Sequence, residues 1–230
     1  MSCGFLFINK PVGPTSHDIV NQLRKITGIK RIGHCGTLDP FASGLLIFGI
    51  GRPATKQLSN FLKADKEYFT TLLLGATSNT GDRTGAIIKY NPYLKTNDDN
   101  KKPASNNKNN QPTLSRINRV LKRFIGNIEQ TPPMYSAKKI NGVRLYKLAR
   151  QGKVVARKKQ KITIKQIKLI NYCWPRLSLK ISCSSGTYIR SLGQDIGISL
   201  GCGAYLDELT RWSINSITLK QAIELKKINR

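Results

Sequence analysis

The stretch Gly33-His34-Cys35-Gly36-Thr37-Leu38-Asp39-Pro40-Phe41-Ala42-Ser43-Gly44-Leu45 constrains this chain more than any other. Glycine and proline punctuate a turn, and the apolar run Leu45-Leu46-Ile47-Phe48 follows it directly. Such a pattern reads as a rigid turn that feeds a buried segment. It holds the carboxylate of Asp39 between Leu38 and Pro40, partly shielded from water, which favours a reactive role over a solvated one. A lone Leu-Asp-Pro is equally the chemistry of a helix N-cap or an Asx turn, so the residues by themselves leave both readings open.

Charge is the strongest global signal. Thirty-nine Lys and Arg stand against twelve Asp and Glu, a formal net charge of +27. A field of that sign and size points to a polyanionic partner, RNA or DNA, and discourages self-association, so a monomer is expected. Abundant Ile and Asn beside Lys also fit an A+T-biased coding sequence, which would raise lysine everywhere. Charge says nothing about chemistry. The 230 residues suffice for one core, or one core with a small appendage. The apolar run from Gly44 to Ile50 is far shorter than the ~20 residues a membrane-spanning helix needs, and Gly4 to Ile8 lacks the flanks of a signal peptide. A cytoplasmic protein with no membrane partner is expected. Five cysteines, with no C-x-x-C pair and only His17 and His34 as histidines, give no zinc spacing. They read as reduced thiols. Cys35, beside His34, is the one cysteine that could be exposed, and a nucleophilic role for it lacks a histidine–carboxylate partner pattern.

Along the chain, Gly4–Ile8 reads as a first strand. Ser16 is expected to cap a helix to about Ile26, with Ile19, Val20, Leu23 and Ile26 on one face and Gly28 as its stop. Glu67–Leu74 reads as a strand, 75–85 as turns, and 91–111 as a low-complexity surface insertion rich in Asn, Lys, Asp and Pro. Helical spacing marks Ser115–Phe124, Arg144–Arg150 and Ile189–Leu200, and a last helix is expected over Leu219–Lys227 after Thr218. Leu177–Cys183 alternates as a half-buried strand. Lys153–Lys168 is strongly basic with isoleucines interleaved. The mixture lacks a strict βαβ rhythm, so the fold class is read as α+β around a mostly antiparallel sheet.

Ordered blocks run through about nine-tenths of the chain: Lys10-Pro11-x-Gly-x-Thr-Ser16; the Gly33–Leu45 stretch; Lys66-x-Tyr68; Thr80-x-Asp82-x-x-Gly85; Gln130 to Gly142; Leu145-Tyr146; and Gly186-Thr-Tyr188-Ile-Arg190-Ser-Leu-x-x-Asp195-x-Gly197. Together they resemble the TruB-type tRNA pseudouridine synthases. The resemblance implies one pseudouridine synthase domain over residues 1–230, with the sheet and its flanking helices forming a central cleft. It implies isomerisation of uridine 55 in the T-arm loop of tRNA, with no cofactor and no metal. Asp39 would be the catalytic carboxylate, Arg190 the guanidinium that pairs with it and keeps it ionised, and Tyr68 the ring that stacks on the uracil. An unperturbed phenol, with a pKa near ~10, is a poor base at neutral pH, which makes stacking the firmer part of the tyrosine's role. Whether the aspartate adds to the base, attacks the sugar or removes a sugar proton stays open.

A uridine within a folded arm must leave its stack to reach Asp39. His34 would wedge into the loop as the base flips, Lys10 would support the site, and Asp82 would hold an active-site loop. Residues 130–157 correspond to a thumb that folds onto RNA, with Tyr135, Lys138, Arg144 and Arg150 contacting it, and Tyr188 also faces the substrate. Three departures accompany the resemblance. Asn79 stands where family members often carry aspartate, 91–111 is extra loop, and a C-terminal PUA domain is expected to be absent or truncated, with the positive charge partly substituting. The alternatives are a guide-RNA-dependent enzyme of ribosomal RNA and a non-catalytic tRNA-binding chaperone.

Overall fold

A computed structural model describes residues 3–90, 111–140 and 142–228. The insertion expected at 91–111 lies outside the described residues except for Gln111. In chain order, β1 (Gly4–Lys10), α1 (Ser16–Thr27), β2 (Ile32–Cys35), β3 (Ser43–Ile50), α2 (Gly51–Gln57) and α3 (Ser59–Leu62) lead to β4 (Lys66–Leu74). Next come β5 (Ala76–Ser78), β6 (Ile87–Lys89), α4 (Leu114–Arg123), β7 (Gly126–Gln130), β8 (Lys139–Ile140), β9 (Val143–Arg144) and α5 (Leu145–Arg150). The last third holds β10 (Gln160–Cys173), β11 (Arg176–Cys183), α6 (Ile189–Leu200), β12 (Ala204–Ile214), β13 (Ile217–Thr218) and β14 (Ile223–Glu224). The fold is α+β, with a large mixed sheet flanked by helices.

The chain divides into two compact units. One comprises Met1–Thr70, Ile181–Gly186 and Glu208–Arg230, and the other Thr71–Lys180 and Thr187–Asp207. In the first unit the strand order is β14-β1-β3-β12, with β2 also on β3 and β13 on β12. β3 is buried from Gly44 to Ile50, which is why its sequence is a continuous apolar run and not an alternating one. It pairs antiparallel with β1, Lys10 opposite Gly44, and parallel with β12, Arg211 opposite Gly44. Gly44 adopts φ 108°, and a Cβ there would lie 2.3 Å from the Arg211 carbonyl oxygen, so only glycine permits this approach.

Helix α1 begins one residue earlier than the sequence suggests. Thr15, not Ser16, is its N-cap: the Thr15 hydroxyl accepts from Asp18 N (3.1 Å), and Asp18 Oδ2 accepts from Thr15 N (2.8 Å). Ser16 is released to bond elsewhere, as described below. Gly28 ends the helix at φ 71°, as expected. The helix expected over Leu219–Lys227 is instead two 3-10 turns, Leu219–Gln221 and Leu225–Lys227, separated by β14. Ile223 pairs in parallel with Ile8, so the edge of β1 draws this segment out of helix.

The second unit takes β4 from Thr71 onward and β11 as far as Lys180, in the sheet order β4-β11-β10-β7, with α4 packed on β10 and on α6. Helix α4 buries Ile117, Val120 and Leu121 and is capped by Thr113. The basic segment before Lys168 continues as a strand to Cys173, burying Ile162, Ile164 and Ile167 while Lys161, Lys165 and Lys168 point to solvent. β8 (Lys139–Ile140) pairs separately with β9 (Val143–Arg144), and α5 follows. Among the described residues no helix is long and apolar enough to cross a membrane.

Candidate active site

Asp39 sits half-buried on the loop between β2 and β3, and the backbone of that loop is anchored at several points on both sides of it. The Ser16 hydroxyl donates to Leu38 O (3.0 Å) and accepts from Leu38 N (3.0 Å). Ala42 N donates to Asp39 O (3.1 Å), and Gly13 N donates to Pro40 O (2.8 Å). Lys10, fully buried, donates from Nζ to Pro11 O (2.7 Å), Pro14 O (2.9 Å) and Pro40 O (3.4 Å). The Lys10-Pro-x-Gly-x-Thr-Ser16 block thus has a mechanical meaning: its lysine, glycine and serine each hold the aspartate loop. Burial lowers the Lys10 pKa to about 8; the Asp39 carboxylate opposes that fall and the Arg211 guanidinium adds to it.

Tyr68 lies on β4 and is almost wholly buried. Burial pushes its phenol above the ordinary value, the Arg211 charge works against that rise, and the Asp39 charge adds to it. Asp39, Tyr68 and Lys10 therefore sense one another within a single unit. His34 is on β2, opposite Phe48 of β3, with the two rings edge-to-face at 6.2 Å. Its pKa is lowered by burial and then by Arg211, so the ring is held neutral, and its buried Nδ1 makes no hydrogen bond. Cys35 is completely buried against Leu45, Ile47, Leu58 and Ile214, and burial raises its thiol pKa, which corrects the expectation that it could be exposed. It is packing, not a nucleophile.

Sequence reasoning missed Arg211. This arginine on β12 is 1% exposed, donating from Nε to Leu45 O (2.7 Å) and from Nη2 to Gly36 O (2.7 Å). One signal could have found it: Leu209 and Arg211 share the inward phase of a strand, where a cation has no ordinary place. The buried Lys66, donating to Leu62 O (3.1 Å) and Ala64 O (2.6 Å), completes the cationic lining.

The other expected residues belong to the second unit. Arg190, on the first turn of α6, pairs with Asp82 (3.5 Å) and donates to Thr80 O (2.9 Å) and Tyr135 O (2.6 Å). Asp82 Oδ1 in turn accepts from Thr80 Oγ1 (2.9 Å) and Thr84 N (2.9 Å), so this carboxylate does brace a loop. Asn79 makes the contact that an aspartate oxygen could make, its Oδ1 accepting from Ala86 N (2.9 Å). Tyr188 exchanges two backbone bonds with the Gln130 amide, at 2.8 and 3.0 Å. Lys138 reaches Gln160 (3.2 Å), Arg150 lies over the Tyr146 ring at 5.5 Å, and Arg144 is exposed. Among the described residues no cluster of three or more His, Cys, Asp or Glu could hold a metal ion.

Comparison with known proteins gives this geometry its context. Residues 24–189 match the model of the TruB family pseudouridylate synthase N-terminal domain. The chain is 42% identical over 226 residues to the tRNA pseudouridine synthase B of Protochlamydia amoebophila (strain UWE25), covering 98% of this chain and 79% of that one. With the enzyme of the same name from Endomicrobium trichonymphae it shares 41% identity, over 97% of this chain and 90% of that one. Among solved structures, a chain of a Cbf5-Nop10-Gar1 complex superposes with a TM-score of 0.69 at 26% identity; 97% of this chain is covered but only 52% of that one. Matched across most of its length, in sequence and in fold, the chain belongs to the TruB family of pseudouridylate synthases.

Proposed function

We propose that this protein converts a uridine of tRNA to pseudouridine, that the target is uridine 55 in the T-arm loop, and that Asp39 is the catalytic carboxylate. The observation that carries the reading is the fixed Asp39 loop, clamped by Lys10, Ser16 and Gly13 beside Tyr68. Identity of 42% over 98% of the chain to a relative named tRNA pseudouridine synthase B supports the substrate.

In the reaction the bond between C1′ and N1 of the nucleoside breaks, the uracil turns, and C5 bonds to C1′. N1 gains a proton and the hydrogen of C5 leaves as a proton, so nothing is oxidised or reduced. The site must therefore provide a carboxylate, a stacking surface and exclusion of water. Asp39 would supply the first and the ring of Tyr68 the second. The family resemblance adds Arg190 as the cation that keeps Asp39 ionised, and Tyr188 as a neighbour of the substrate. The flipped base leaves a gap in the T-loop that the neutral, apolar-packed ring of His34 suits as a wedge. Tyr135, Lys138, Arg144 and Arg150 lie on or beside β8, β9 and α5, which would track phosphates in a strongly salt-dependent manner. A monomer in the cytoplasm is the working state in this reading.

The test is release of tritium from carbon 5 of uridine in an unmodified tRNA transcript, without guide RNA or cofactor. Release that stops near one equivalent, and that is lost on replacing the T-loop uridine, is expected. Asp39→Asn should abolish release while changing tRNA affinity by less than about threefold. Tight binding with no release from the unaltered protein would reject the reading in favour of a chaperone or a guide-dependent enzyme.

A further inference from the structure

We propose that Arg211 is a positioning residue for catalysis, one guanidinium that sets the Asp39 loop and Tyr68 in register. The inference rests on the assignment of those two residues above and adds the group that couples them. The two carbonyls that Arg211 holds lie on either side of the loop, Gly36 O three residues before Asp39 and Leu45 O six residues after it. The fork therefore closes the base of the loop as a staple. Its own backbone is fixed by pairing with Gly44, at the C-terminal end of the same loop.

The remaining surroundings tie the guanidinium to the site's chemistry. Gly36 adopts φ 70°, which favours glycine, and a Cβ there would be in ordinary contact with Arg211 Nη1 at 3.4 Å, so the loop passes directly beside the cation. The cation's charge bears on the Tyr68 hydroxyl, with hydrogen bonding to it, and on the ammonium of Lys10. Two of its donors go to the backbone carbonyls of Leu45 and Gly36. The guanidinium thus sets a positive charge close to the Tyr68 hydroxyl and the Lys10 ammonium. A lysine keeps that charge but cannot offer two diverging planar donors to Gly36 and Leu45.

Two variants separate the fork from the charge. Arg211→Lys is expected to bind a T-arm stem-loop within threefold of the unaltered protein, yet to lose at least 100-fold in the single-turnover rate constant. Its Lys10 side chain, followed by carbon-13 NMR at Cε, keeps a midpoint near 8. Arg211→Gln loses the rate equally, and the Lys10 midpoint rises because the neighbouring cation has gone. Should the Gln variant fail to fold, the Lys variant decides, since it keeps both charge and most of the volume. A single-turnover rate within threefold for Arg211→Lys overturns the proposal. So does a loss of stem-loop affinity as large as the loss of rate, which marks a merely structural role. Asp39→Asn is run alongside: an inactive Asp39→Asn with an active Arg211→Lys rejects the Arg211 role alone, whereas an active Asp39→Asn rejects the catalytic reading beneath it.

Discussion

Replacing Lys10 by Met tests the clamp on the aspartate loop from two directions. The buried ammonium releases its proton at about 8 in the folded protein, against the ordinary 10.5 of a lysine. The folded pKa is the lower of the two, so between these values the unfolded chain holds a proton that the folded chain has lost. Stability from this group therefore rises with pH through that window. Linkage over those two pKa values gives a gain of about 2 kcal/mol between pH 7 and pH 9.5. Lys10→Met removes the titration, so the stability of the unaltered protein minus that of the variant should grow by about 2 kcal/mol over the same range. Lys66, whose pKa is also lowered by burial, is present in both proteins and cancels. Urea unfolding at pH 7, 8.5 and 9.5 measures the difference. At pH 7 the loss of charged hydrogen bonds to Pro11, Pro14 and Pro40 costs about 1.5–3 kcal/mol, offset by relief of the buried charge, so the variant should fold there. The same experiment reads function: leaving Pro40 O with Gly13 N as its remaining donor loosens the residue after Asp39 and should slow the single turnover about 10- to 100-fold. A stability difference that stays flat from pH 7 to 9.5 would refute the reasoning, because Lys10 would then not be an amine that titrates inside the fold.

Gly44→Ala should destabilise the protein by about 3 kcal/mol or more, since its Cβ meets the Arg211 backbone at a φ that L residues avoid; an unchanged urea midpoint would reject the β3–β12 register. Asp82→Asn keeps an acceptor for Thr80 and Thr84 but leaves the 6%-exposed Arg190 side chain without this partner charge, and a loss of about 3 kcal/mol is expected in thermal or urea melts. Reversing the charges of Lys158, Lys159 and Lys161 to Glu should weaken tRNA binding at physiological salt and flatten its dependence on salt concentration. Unchanged affinity would show that this basic run is only a solvated surface.

Much of this was legible because local and tertiary demands agree. Gly28 stops α1 where the apolar face ends, and the apolar run after Gly44 marks a buried segment, which the fold builds as β3. The misreadings share one cause, a tertiary partner distant in sequence. Ser16 looks like an N-cap until Leu38, 22 residues on, takes its hydroxyl and Thr15 caps instead. Residues 219–227 have helical spacing, but the open edge of β1 offers Ile223 a strand partner. Cys35 beside His34 suggested exposure, whereas strand alternation turns it into the core and leaves His34 on the other side. Arg211 was invisible for the same reason. Its acceptors lie 166 and 175 positions away, and the inward phase it shares with Leu209 marks it as buried without showing which carbonyls it holds.

These long-range bonds also explain why the chemistry can proceed with so few groups. Four successive constraints act on the loop: Arg211 on Gly36, Ser16 on Leu38, Ala42 on Asp39 and Lys10 with Gly13 on Pro40. Each satisfies a carbonyl that would otherwise take up water or compete with the carboxylate for donors. The conformational entropy of placing Asp39 is thus lost when the protein folds and not when RNA arrives. On the assignment of Asp39 proposed above, a reaction that neither oxidises nor hydrolyses its substrate would draw its acceleration from fixed geometry and fixed charge, both built into this loop before any base enters. The buried cations follow from the same demand. Lys10 and Arg211 contribute little to stability as buried charges, and their position next to the aspartate is what the fold obtains from carrying them.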